Sequence, residues 1–181
     1  EKFLEESWLF EAITETYLPL LSIMNGWHRD GMESRLTLTL SPTLCVMLRD
    51  PLLKDRYARH LDSVIELAEK ERHRTHWEPA FQELAGMYHQ RLKLARDAYL
   101  ASGGDVVGAF RRFQDLGKLE IITTAATHAF LPHLASPELQ RAQVRLGLAA
   151  HARRFGSAPA CFWLPECGFA PELDGLLRSE G

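Results

Sequence analysis

An α/β fold, with parallel strands joined by long helical crossovers, is predicted by three features of the chain. Short strand-like runs occupy 35–40, 119–123 and 160–164. The stretches between them carry apolar residues at three- and four-residue spacing and far exceed the dozen residues that a parallel crossover needs. Ser-Pro and Asp-Pro steps open helices, with a capping side chain placed before a proline whose missing N–H is no loss in the first turn. This alternation places helices against a mostly parallel sheet with right-handed connections.

Taken in order, 3–26 reads as an amphipathic helix. Trp8, Leu9, Ala12, Ile13, Thr16, Tyr17, Leu20, Leu21 and Met24 share one face, and Asn25-Gly26 forms the stop. Arg35 to Leu40 alternates leucine with polar residues, the period of a half-buried strand. Ser41-Pro42 starts a short helix. Asp50-Pro51 starts a longer one, to about Arg72, with Leu53, Tyr57, Leu61, Val64, Ile65 and Ala68 inward. After a polar break, Pro79 opens a helix carrying Phe81, Leu84, Tyr88, Leu92, Ala95 and Tyr99 on one side. Ser102-Gly103-Gly104 is a turn, and Asp105 caps a helix that ends at Gly117. Leu119 to Thr123 is an apolar run of the kind buried in parallel sheets. Ser136-Pro137-Glu138 opens a helix to Phe155-Gly156, Ala160 to Leu164 is the third strand, and Pro171 opens a last helix.

Of the 181 residues, 46% are hydrophobic and 25% charged, a globular balance that excludes disordered and collagen-like classes. Lys and Arg number 21 against 24 Asp and Glu, a net charge of −3, so there is no basic field for phosphodiester and nucleic acid is not an expected partner. No apolar run approaches the roughly 20 residues of a bilayer-spanning helix, so no membrane partner is expected either. Cys45, Cys161 and Cys167 form neither a CxxC pair nor an even disulfide set, which points to a reducing, cytoplasmic compartment. The chain starts at Glu1 without a leader, and three strands do not close a barrel, which for eight strands takes at least about 200 residues. The expectation is one partial domain over 1–181, incomplete at both ends.

In parallel α/β folds, reactive groups collect beyond the C-terminal strand ends. That rule selects Ser41-Pro42-Thr43, then Thr123, Thr124, Thr127 and His128, then Leu164 to Gly168. Glu166 follows an apolar strand in a tight loop between Pro165 and Gly168, with Trp163 and Phe169 beside it to wall a sugar ring. The alternative for Glu166 is an exposed or helix-capping carboxylate. His128 is placed to hydrogen-bond a substrate hydroxyl, or else is satisfied within the fold. His73 and His76, and His128 and His133, do not match a four-ligand zinc pattern, so no metal is expected. Cys167 reads as a small apolar residue or a reactive thiol.

Three blocks carry a resemblance: Glu6 to Tyr17 (ESWLFEAITETY), Leu119 to His128 (LEIITTAATH) and Trp163 to Gly168 (WLPECG). They resemble glycoside hydrolase family 57, and within it the 1,4-α-glucan branching enzymes. The linking segments, including Asp50 to Leu53 and Gly104 to Val107, fit as well, so the likeness spans essentially the whole chain. It departs at Ala129, where Gly is commoner, and at Phe169, where Tyr is commoner.

The resemblance implies a distorted (β/α)7 barrel and retaining chemistry on α-glucans such as amylose, starch or glycogen, without a cofactor. It implies that Glu166 is the catalytic nucleophile, that His128 is the active-site histidine, and that Trp8 lies near the donor sugar; Trp163 is expected to join in substrate binding. The family's general acid/base, an Asp on a later strand, and its N-terminal histidine motif are not in these residues. Within the family the implied activity is branching, with an α-amylase-type hydrolase, a 4-α-glucanotransferase or an inactive glucan-binding homologue as alternatives. A metal-dependent deacetylase on a similar barrel ranks last, because no Asp/His metal set is present.

Overall fold

The computed structural model describes residues 3–181. Strands β1 (Leu36–Thr39), β2 (Leu119–Thr124) and β3 (Phe162–Trp163) lie parallel in the order β1-β2-β3. β1 pairs with the first part of β2, from Leu36 opposite Leu119 to Thr39 opposite Ile122. β3 pairs with the last two residues, Thr123 opposite Phe162 and Thr124 opposite Trp163. That stagger brings the loops after β2 and β3 out at neighbouring points. β2 is buried except at Glu120, whose carboxylate accepts a hydrogen bond from Thr37 at 2.9 Å. β3 is shorter than the expected 160–164: only Phe162 and Trp163 pair, opposite the last two residues of β2, and Pro165 follows directly after Leu164.

The helices are α1 (Leu4–Ala12), α2 (Leu18–Arg29), α3 (Pro42–Arg49), α4 (Pro51–Arg74), α5 (Pro79–Ala101), α6 (Val106–Asp115), α7 (Pro137–Phe155) and α8 (Pro171–Glu180). The chain falls into two units, one running to Glu33 and resuming over Leu48–Phe110, the other comprising Ser34–Met47 and Arg111–Gly181.

In the first unit the expected opening helix is interrupted. A π-helical turn, Ile13–Tyr17, separates α1 from α2. Its wider turn shifts the inward stripe, so burial passes from Leu9, Phe10 and Ile13 to Leu18, Leu21 and Met24. Thr16 and Trp8, expected inward, are exposed, and Tyr17 and Leu20 are half-buried. The expected stop at Asn25-Gly26 does not occur. Asn25 donates its amide back to the Leu21 carbonyl at 2.9 Å, and the helix runs on to Arg29, ahead of a left-handed Gly31.

α4 begins where Asp50-Pro51 predicts, with the Asp50 carboxylate accepting from Leu52 N at 2.9 Å and Leu53 N at 3.0 Å. Its Tyr57 sits at the centre of this unit, edge-on to Tyr99 at 4.8 Å and 3.0 Å from the Thr14 hydroxyl. Burial holds the Tyr57 phenol well above its ordinary pKa. Only the C-terminal half of α5 buries its apolar stripe, through Ala95 and Tyr99. Phe81, Leu84 and Tyr88, expected inward, are exposed.

In the second unit, α7 is capped by Ser136, which accepts from Leu139 N at 3.3 Å, and ends at left-handed Gly156. Ala125, Leu131, Val144, Leu173 and Leu176 form a cluster that joins the end of β2 to α7 and α8. Arg141 and Arg145 of α7 clasp Glu180 of α8 at 2.5 and 2.6 Å.

Candidate active site

The site is built on the loops that follow β2 and β3. Beyond Thr124 the chain turns at Ala125, with His128 N donating to the Ala125 carbonyl at 2.9 Å, and then enters a 3-10 turn, Leu131–His133. Beyond Trp163 a second 3-10 turn, Pro165–Cys167, carries Glu166. Thr124 Oγ1 donates to the Trp163 carbonyl at 2.7 Å, which ties the two strand ends together just below both loops.

His128 Nε2 lies 3.3 Å from Glu166 Oε1. A carboxylate oxygen accepts only, so the contact is a hydrogen bond when Nε2 carries the proton. Both side chains face solvent, with Glu166 the more open of the two. A carboxylate at the mouth of a parallel sheet with an imidazole beside it offers an acceptor and a donor within reach of one bound molecule.

The backbone under these two residues is unusual. His128 (φ 57), Glu166 (φ 53) and Cys167 (φ 56) are all left-handed, and among the described residues they are the non-glycine ones with positive φ. For residues with a Cβ that conformation costs energy and persists where surrounding contacts impose it, most often at functional sites. A hydrophobic-periodicity reading of the sequence carries no signal for it.

Helix α7 holds the first loop. The Gln143 side-chain oxygen accepts from Thr127 N at 2.9 Å and from the Thr127 hydroxyl at 3.2 Å, while its main-chain carbonyl accepts from Ala126 N at 3.0 Å. Buried Gln140 donates to the Leu131 carbonyl at 3.1 Å. The sequence reading missed both glutamines. Their signal is the three-residue spacing that puts them on the same stripe as Val144 and Gly147, the buried face of α7.

The structure thus brings His128 and Glu166 together. Trp163 is on β3, adjacent in sequence to the Glu166 loop and 45% exposed, and Phe169 is exposed beyond it. Trp8 is on α1 in the first unit, 60% exposed. Cys161 and Cys167 are exposed free thiols and Cys45 a buried one. Among the described residues no group of three or more His, Cys, Asp or Glu is placed to hold a metal ion. Among them, too, no helix is long and apolar enough to cross a membrane.

The sequence model of glycosyl hydrolase family 57 matches residues 1–181, the whole chain. The chain belongs to glycosyl hydrolase family 57. Among family 57 relatives, it is 32% identical over 166 residues to a 1,4-alpha-glucan branching enzyme of Thermococcus kodakarensis, covering 92% of this chain and 24% of that protein. The alpha-amylase AmyC of Thermotoga maritima superposes with a TM-score of 0.90 at 39% identity, over 99% of this chain and 34% of its own. A branching enzyme from Pyrococcus horikoshii superposes at 0.87 and 31%, over 90% of this chain and 30% of its own. This family 57 chain therefore spans about a quarter to a third of the length of these relatives. Its three-stranded parallel sheet with helical crossovers is part of the family's α/β barrel, as expected from the sequence.

Proposed function

We propose that this chain carries the nucleophile half of a retaining α-glucan branching transferase, which cuts α-1,4 links and rejoins the freed chain through α-1,6 links. The observation that carries this reading is the approach of His128 Nε2 to within 3.3 Å of Glu166 Oε1 at the paired ends of β2 and β3. Ionised Glu166 attacks the anomeric carbon through an oxocarbenium-like transition state and forms a glycosyl ester, with inversion at that carbon. His128 donates to a hydroxyl of the same sugar and holds the ring in line. A second carboxyl group, roughly 5–5.5 Å from the first in a retaining enzyme, protonates the departing oxygen and then activates the acceptor. A 6-hydroxyl acceptor attacks with a second inversion and makes a branch; water makes a hydrolase. In this reading the second carboxyl, an Asp, is supplied by the rest of the protein. Trp163 flanks the bound sugar, and no cofactor takes part. The three free cysteines support a reducing, cytoplasmic setting.

A hydrolytic reading is favoured by one observation, the 39% identity and 0.90 TM-score to a protein named as an alpha-amylase. The two readings share Glu166 and differ in the acceptor. The test is the full-length protein and its Glu166→Gln variant on linear amylose, with proton NMR counting α-1,6 linkages and reducing ends. New α-1,6 signals with few new reducing ends, absent in the variant, support branching. Many new reducing ends without branches support hydrolysis. A gain in neither fits a glucan-binding homologue. Glu166→Gln activity above about a hundredth of wild type would overturn the nucleophile assignment, since removing the central group of a catalytic unit costs far more.

A further inference from the structure

Gly168 stands two residues beyond Glu166, and its backbone does not call for glycine. Its φ of −73° and ψ of 107° are open to any residue. What excludes a side chain is Phe130. A Cβ on Gly168 would overlap Cε2 of the Phe130 ring and stand 2.8 Å from Cδ2 and Cζ, so the ring rests directly on the Gly168 backbone. Phe130 in turn stands two residues beyond His128. Its ring stands edge-to-face with that of His133 at 4.7 Å. Gly168 is buried although Glu166, Cys167 and Phe169 around it are exposed. The two loops that carry His128 and Glu166 on left-handed backbone are therefore pressed together at this point, each at the same distance along the chain from its polar residue.

We infer that the seat of Phe130 on Gly168 sets the separation of His128 and Glu166, making Phe130 a positioning residue for the nucleophile. The inference rests on the roles proposed above for those two residues. A left-handed non-glycine backbone needs neighbours that impose it, and this contact supplies one beside those that Gln143 makes to the first loop. A displaced ring shifts one loop against the other and moves the carboxylate relative to the imidazole, without removing any group that touches substrate. Misplacement of a reacting group by about 1 Å can cost on the order of 100-fold in rate.

The test is a double-variant cycle in the full-length protein, with Glu166→Gln alongside. Gly168→Ala is expected to lower kcat by roughly 10- to 100-fold while KM stays within about twofold of wild type. Phe130→Ala opens the space that the added methyl needs, so the double variant is expected to match Phe130→Ala within about threefold and to exceed Gly168→Ala. A wild-type kcat for Gly168→Ala, or a double variant whose loss is the product of the single losses, would overturn the inference. If Gly168→Ala does not fold, Phe130→Leu replaces it, since it adds no clash; there a fall in kcat at constant KM supports the seat and an unchanged kcat overturns it. An active Glu166→Gln variant would instead sink the nucleophile assignment, a separate failure read on a separate protein.

Discussion

Gly147 of α7 lies so close to the carbonyl oxygen of Thr124 at the end of β2 that a Cβ on the glycine would overlap it. The adjacent Thr123 hydroxyl donates to the Gly147 carbonyl at 3.2 Å, so helix and strand are joined as well as packed. The same face of α7 presents Gln140 and Gln143 to the His128 loop. Lifting the helix from the strand would move those anchors with it.

Gly147→Ala is therefore expected to destabilise the protein by about 1–3 kcal/mol, the usual effect of overpacking a close contact, even though alanine favours a helix. Urea unfolding of the full-length protein measures it through a lower midpoint. An unchanged or raised midpoint would contradict the close seating.

At His128 the backbone and the side chain can be tested apart. His128→Gly relieves the left-handed strain that His128→Ala retains, a difference of about 1–2 kcal/mol. Both variants are expected to lose activity, with the glycine variant unfolding at the higher temperature in calorimetry. Equal midpoints would count against a left-handed residue here, and full activity in either would remove the imidazole from the mechanism.

Glu180 supplies a pH dependence. Hydrogen bonds from Arg145 and then Arg141 hold its carboxyl below the ordinary value of 4.5. A depressed carboxyl contributes stability that is fully present above its unfolded value and is lost as pH falls through its folded value. Wild type is thus expected to melt above Glu180→Gln at pH 7, with the gap closing below about pH 4.5. Melting curves of both proteins between pH 7 and 3 check this, and a gap that persists at the acid end would show that the arginine clasp is not its source.

Much of the architecture was legible because it depends on local chemistry. Asp50-Pro51 and Ser136-Pro137 mark helix starts through a capping oxygen followed by a preset φ, and both helices begin there. The Leu-Thr alternation of β1 and the apolar run of β2 identify strands from their periods alone. Glu166 and His128 were legible as residues just past strand ends. The π turn at Ile13–Tyr17 was not, because a single wide turn leaves the composition of a helix unchanged while it brings Leu18 inward beside Leu21 and Met24. Nor was the exposure of Phe81, Leu84 and Tyr88, since an amphipathic stripe records what a helix can bury and not whether a neighbour reaches it.

The order of elements, the helix caps and the identity of the two polar residues at the strand ends are thus properties of neighbouring residues along the chain. The 3.3 Å between His128 and Glu166 is not, for those residues are 38 positions apart. That distance depends on the register of β3 against β2, the left-handed turns under both side chains and the Phe130 ring against Gly168. The register and the ring contact join segments far apart in the chain, and the left-handed turns persist only where such surroundings impose them, so none of the three can be read from neighbouring residues alone.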